Sequence, residues 1–197
     1  MHPVLAKAVY PLAEQVAAVS LNEAQVSPNA ELRQWCGQQV VEHLILTFQS
    51  SRRELERRLK SGDSPASRAS WLQWILKVQV CVFGLMSQGV STTLSLRPAR
   101  FVPQDGKELA ARLLAEAEAL NKDLSDCRIV FGLRPCGYHP MYGPLRVEEW
   151  RVYHAAHIRH HQRQFEEVIR LAQRRAAGAA QTKPRQEQVA TAAGIDG

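Results

Sequence analysis

The chain has no apolar run long enough to cross a bilayer. Its longest, such as Val40-Val41 and Val80 to Phe83, fall far short of the roughly 20 residues a spanning helix needs. Met1-His2-Pro3-Val4 offers no charged region followed by an apolar core, so no secretion signal is evident. Both absences lead to the expectation of a cytoplasmic protein. Cysteine is scarce. Cys36, Cys81, Cys127 and Cys136 form no CxxC pair and match no zinc-ribbon spacing. In a cytosolic chain they are expected to be reduced. Cys36 and Cys81 read as small core residues. Cys136, beside Gly137, is expected in a loop open to solvent, and nothing near it marks a nucleophile. No internal repeat is visible either.

What is present is one domain's worth of chain with an ordinary apolar share. The 197 residues, 45% of them hydrophobic, allow a full core plus a tail. The net charge of +6 gathers on Arg52, Arg53, Arg57, Arg58 and Lys60, and on Arg170, Arg174 and Arg175. Such a face can touch nucleic acid or an acidic ligand. Glu54 and Glu56 interrupt the first cluster, so it reads better as a solvated helix face. No nucleic-acid-binding motif accompanies it, and no membrane partner is expected.

The apolar spacing is helical almost throughout. Val4, Leu5, Ala8, Val9, Leu12, Val16 and Val19 mark a first helix, in which Pro11 predicts a kink or a late start. A second helix is predicted from about Glu31 to Lys60, with Val40, Val41, Leu44, Phe48, Leu55 and Leu59 inward, and Gly62 and Pro65 beyond its end. A third covers about Arg68 to Gln88, with Leu72, Ile75, Leu76, Val80 and Phe83 inward; Val78 to Phe83 also suits a strand. An irregular crossover, 89–105, precedes a fourth helix over about 106–126. An irregular loop, 127–144, precedes a fifth from near Val147 to about Ala176. Residues 177–197 have few large apolar side chains and are expected to be a disordered tail. The fold class is therefore all-α, a helical bundle over residues 1–176.

The most informative residues lie in the fifth helix. His157 and His161 are four apart, so they stack on one helical face. Trp150, His154, Gln164 and Val168 fall near the same face, which makes it the buried stripe. Buried imidazoles need partners, and a metal ion is a suitable one. A lone histidine on an apolar face is ordinarily a satisfied core residue, and a pair at this spacing is suggestive only. An open catalytic site usually has three protein ligands. His43, at the edge of the second helix's apolar stripe, is the best third ligand if that helix packs on the fifth. Three neutral imidazoles leave a divalent ion's charge uncompensated and favour hydroxide or thiolate in the open position. Zinc or nickel suits nitrogen ligands, as do iron and copper.

Gln164, one turn beyond His161, reads as a group that hydrogen-bonds a ligand histidine or a bound substrate. His154 reads as a fourth ligand, an acid–base group or, preferably, a core histidine bonded to a carbonyl. If catalysis needs a general base, His154 is the first to test. His160 falls outside the ligand set, and His139 in the preceding loop reads as structural.

Three segments carry a resemblance to a known family. Trp35 to Thr47 contains the single histidine His43. His139 to Trp150 forms a loop and helix start. His157, His161 and Gln164 match an HxxxHxxQ pattern. Together, over about residues 1–173, they resemble the DinB/YfiT-like superfamily of metalloenzymes, in particular a bacterial branch. The resemblance implies a four-helix bundle in up-down-down-up order with an extra helix in the crossover. It also implies a divalent metal held by His43, His157 and His161. Some relatives are thiol-dependent S-transferases or isomerases, and relatives are often dimers. A small-molecule substrate, a low-molecular-weight thiol and a homodimer are therefore expected. One departure stands out. Arg146 replaces the Thr or Ser common before the last helix, a cap worth about 1 kcal/mol. Glu148 and Glu149 in the first turn partly compensate. The competing expectation is a non-catalytic metal-binding bundle, and an open cavity beside the metal would discriminate against it.

Overall fold

The first helix begins where its ends can be satisfied. His2 Nδ1 accepts the Val4 N–H at 3.3 Å, and Pro3 occupies the first turn, where its missing N–H leaves no gap. This helix, α1 (Pro3–Ala17), includes Pro11 rather than starting after it. Pro11 and Lys7 are both exposed, so the carbonyl that the proline leaves free can turn to water. A short α2 (Leu21–Gln25) follows, capped by Ser20 and Glu23 in a reciprocal box.

The remaining elements are α3 (Gly37–Ser61), α4 (Trp71–Phe83), a 3-10 turn (Leu94–Leu96), α5 (Gly106–Phe131), β1 (Gly137–His139), β2 (Gly143–Leu145) and α6 (Val147–Ala192). They come from a computed structural model, which describes residues 1–27, 34–65, 68–86, 94–98 and 102–192. The expected helix start at Glu31 and helix end at Gln88 lie outside these residues. The chain is mostly helical, as the periodicity predicts. Among the described residues no helix is long and apolar enough to cross a membrane.

Four long helices share the core. α1 packs against α5 and α6, and α3 packs against the same two. Leu5, Leu12, Leu44, Phe48, Leu113, Leu120, Ile158 and Phe165 lie fully buried between them. The close approach of α5 to the end of α1 requires Gly106. A Cβ there would stand 2.1 Å from the Val16 carbonyl oxygen. Charged pairs tie the outer surface of the same helices. Arg52 of α3 donates to Asp123 at 2.9 Å and Glu116 at 3.1 Å on α5. This member of the basic cluster is thus engaged by acids across the helix interface.

Several boundaries and faces differ from expectation. α5 continues to Phe131, because Cys127 and Phe131 extend its buried stripe. The loop that follows holds a small antiparallel hairpin, in which Gly137 pairs with Leu145 and His139 with Gly143. Cys136 is buried beside it, not open to solvent; its N–H donates to the Leu145 carbonyl at 2.8 Å. α6 begins at Val147 despite Arg146. The Glu149 carboxylate reaches back to accept the Arg146 N–H at 2.7 Å, supplying half of a capping box. α6 is helical through Ala192, beyond the end near Ala176 that the apolar spacing marks. Ala176, Ala177, Ala179 and Ala180 favour a helix by propensity alone. Residues 193–197 lie outside the described part.

α4 shows the largest change of face. It is a helix throughout, which removes the strand alternative. Leu72, Ile75 and Phe83, expected inward, are exposed, while Leu76, Val80 and Cys81 pack toward the core. The helix is apolar around most of its circumference, so its polar residues select the face. Gln73 Nε2 donates to the Tyr138 hydroxyl and the Pro140 carbonyl, both at 2.9 Å. Lys77 pairs with Glu149 at 3.2 Å. These anchors turn Leu76 and Val80 inward and leave Trp71, Trp74 and Phe83 outside.

Candidate metal centre

α3 and α6 bring His43, His157 and His161 together. Their ligating atoms all lie within 4.8 Å of one another, and all three residues are buried. The Nε2 atoms converge: His161 to His157 is 3.0 Å and His43 to His157 is 3.4 Å. A tetrahedral ion with nitrogens at 2.0–2.1 Å sets its ligand atoms about 3.3 Å apart. The observed separations bracket that edge length.

The hydrogen bonds on the far side of two rings fix which nitrogen is free. His43 Nδ1 lies 2.9 Å from the Leu96 carbonyl oxygen. A carbonyl only accepts, so Nδ1 carries the proton and Nε2 presents a lone pair. His161 Nδ1 lies 2.8 Å from Gln164 Oε1, with the same consequence. Two lone pairs then face His157 Nε2, which can carry one proton and satisfy one of them. The other contact stays lone pair against lone pair unless a cation lies between. The donor set therefore fits a metal ion better than it fits itself. Gln164 meets the His161 ring, one of the two contacts expected of it, and would orient that ring toward a bound ion.

Burial keeps these imidazoles neutral. It lowers the His43 pKa below 6.5, against the opposing effect of the Leu96 carbonyl. It lowers His161 to about 3, with His43 adding to the shift. His157 is pushed well down, first by burial and then by its two neighbours. Neutral imidazole is the form that binds a metal. Trp35 covers the cluster, with its ring 5.0 Å from that of His43. Tyr153 stacks on His157 at 5.7 Å.

The cluster opens into a cavity of about 660 Å³, a size suited to a small molecule. Thr47, Ser50, Ser51, Arg53, Glu54 and Arg57 continue its wall along α3 beyond His43. Tyr138, His139, Met141 and Tyr142 contribute from the hairpin region, and Trp150, Tyr153 and His160 from α6. The sequence reading missed these wall residues. The signal was present: Thr47, Ser51 and Glu54 continue the His43 face at helical spacing.

His154 is a core histidine, the preferred of the three readings, but it lacks the carbonyl partner expected. It is fully buried and absent from the cavity wall. It stands three residues before His157, not four, and so turns inward against Phe48, Trp150 and Tyr153, with ring centroids 5.4, 5.8 and 4.7 Å away. Neither ring nitrogen has a hydrogen-bond partner among the described residues, so no carbonyl holds it. Burial, and then His139, lowers its pKa to about 3. His160 and His139, by contrast, both line the cavity. His139 Nδ1 accepts the Met141 N–H at 3.2 Å, so Nε2 carries the proton of the neutral ring.

Comparison with models of protein families, with curated proteins and with solved structures finds no match for the chain.

Two outcomes follow from this arrangement. Gln164→Ala should weaken zinc binding by about 10- to 100-fold, read by competition with a chromophoric chelator; unchanged affinity would detach Gln164 from the site. The second concerns acid. His139 has its pKa lowered by burial from 6.5 to about 4. Below 6.5 the unfolded chain takes up a proton that the folded chain refuses until about 4. Its contribution to stability is thus full above 6.5 and is lost as the pH falls to about 4. Denaturant midpoints measured across that window should fall less steeply for His139→Gln than for the parent. Equal slopes would contradict the burial argument.

Proposed function

We propose that the protein is a divalent-metal-dependent enzyme of the DinB/YfiT-like kind, serving thiol-dependent S-transfer to a small electrophile. The observation that carries this reading is the convergence of His43, His157 and His161 in the wall of an open cavity. A centre serving structure alone needs no such space, whereas a reacting centre must admit a ligand. The contacts of α1 and α3 with α5 and α6 support the up-down-down-up four-helix arrangement. α4, between α3 and α5 in the chain, corresponds to the extra helix of the crossover.

Zinc or nickel is the proposed ion, and iron or copper also suits three imidazoles. Such an ion, when bound, supplies Lewis acidity that ionises a thiol near neutral pH. The chain's own groups do the rest. The Leu96 carbonyl and Gln164 hold two ligand rings in place. Trp35 and Tyr153 close the apolar sides and exclude water. The hydroxyls of Thr47, Ser50 and Ser51 can position a polar substrate group on the α3 side. His160 replaces His154 as the imidazole with access to a bound substrate, since it alone of the two faces the cavity.

A homodimer in the cytoplasm completes the proposal. The exposed Trp71, Trp74, Ile75, Val82, Phe83 and Leu85 on and just beyond α4 form an apolar surface that a second copy would cover.

The test uses zinc-loaded protein, a panel of low-molecular-weight thiols and a chlorodinitrobenzene as the electrophile. At least one thiol should react about 100-fold faster than with His161→Ala. Equal rates for the two proteins across the panel would overturn the reading.

A further inference from the structure

The basic run on α3 is not uniformly neutralised. Arg52 is bound by Asp123 and Glu116. Arg57 and Arg58 both pair with Glu54. Arg53 lines the cavity, is exposed, and pairs with no carboxylate among the described residues. Glu54 is the only acidic residue of the described cavity wall. Its carboxylate is already taken by Arg57, Arg58 and the Tyr138 N–H, which donates at 3.0 Å. Burial raises the Glu54 pKa, but these donors outweigh it and hold the group below its ordinary 4.5. The wall thus carries two guanidinium groups against one engaged carboxylate. A divalent ion at the histidines would add two further positive charges.

The positions are also informative. His43 and Arg53 stand ten residues apart on α3, about 15 Å along the axis. Side chains lean toward the helix N-terminus, so Arg53 leans back toward the histidines, and a bridging ligand must span on the order of 10 Å. The hydroxyls of Ser50 and Ser51, which precede Arg53 on α3, and aromatic side chains from the hairpin region and α6 line the same cavity.

We propose that the cavity takes an elongated organic anion, with a metal-seeking group at the three histidines and a carboxylate or phosphate docked on Arg53. This rests on the reading of His43, His157 and His161 as metal ligands. Arg53 acts by binding and orientation, since a guanidinium is a fixed charge with a donor fork matched to oxyanions. It is a specificity-determining residue, remote from the reacting atoms.

Calorimetric titration of zinc-loaded protein with two matched pairs of thiols tests this. Glutathione is compared with its diethyl ester, which keeps the ammonium but has no carboxylate, and phosphopantetheine with pantetheine. The oxyanion-bearing member of at least one pair should bind about tenfold more tightly, the worth of a charge-assisted hydrogen bond. The pair that discriminates identifies the oxyanion as carboxylate or phosphate. Arg53→Gln should abolish the preference without changing zinc content, and Arg53→Lys should keep part of it. Arg53 is exposed, so neither variant disturbs the core. Equal affinity within both pairs, or a preference that survives Arg53→Gln, overturns the proposal. Elemental analysis of the same samples reads the ligand set separately. Zinc retained without any charge preference sinks the Arg53 assignment alone. A charge preference that depends on Arg53 in protein that retains no zinc supports the assignment and sinks the ligand set alone.

Discussion

Three imidazole nitrogens pointed at one another inside an apolar core form the constraint around which the molecule is arranged. Left alone, such a cluster is unfavourable. Each ring loses its water, and at least one pair of lone pairs repels at close range. The fold nevertheless holds the rings in this state. The Leu96 carbonyl and the Gln164 side chain orient two of them, Trp35 and Tyr153 brace the cluster with aromatic faces, and burial keeps all three uncharged. A structure that stabilises three neutral donors in mutual contact is prepared for a cation.

The rest of the architecture serves that placement. α3 and α6 supply the three histidines and lie side by side, while α1 and α5 complete the packing around them. The hairpin between α5 and α6 is fastened to α3 by the Tyr138–Glu54 hydrogen bond and to α4 by Gln73. These polar ties hold His139 and Tyr142 against the cavity. The same Glu54 that anchors the hairpin also neutralises Arg57, which leaves Arg53 without a carboxylate partner among the described residues of the wall. Fold stability and cavity charge are linked through one carboxylate.

Much of the centre was legible in the sequence because helical arithmetic is reliable over short spans. The four-residue spacing of His157 and His161 fixed their common face. His43 stood out because it borders the apolar stripe of a helix long enough to cross the core. Gln164 followed from the same count. What spacing could not supply was depth. His154 lies only one residue out of step with the ligands, yet that turns it into the aromatic interior with both nitrogens unpartnered. Nor could periodicity choose a face for α4, whose surface is apolar nearly all round. Gln73 and Lys77 made that choice through partners distant in sequence. The buried place of Cys136 and the cavity wall likewise depend on the hairpin, whose short strands carry little periodic signal.

The central claim is that one ion bridges α3 and α6 through nitrogen ligands alone. X-ray absorption at the zinc edge of the loaded protein tests it most directly. The account predicts three imidazole nitrogens at about 2.0–2.1 Å and no sulfur near about 2.3 Å. A protein sulfur in the first shell, or a shell of water oxygens without imidazole scattering, would contradict it.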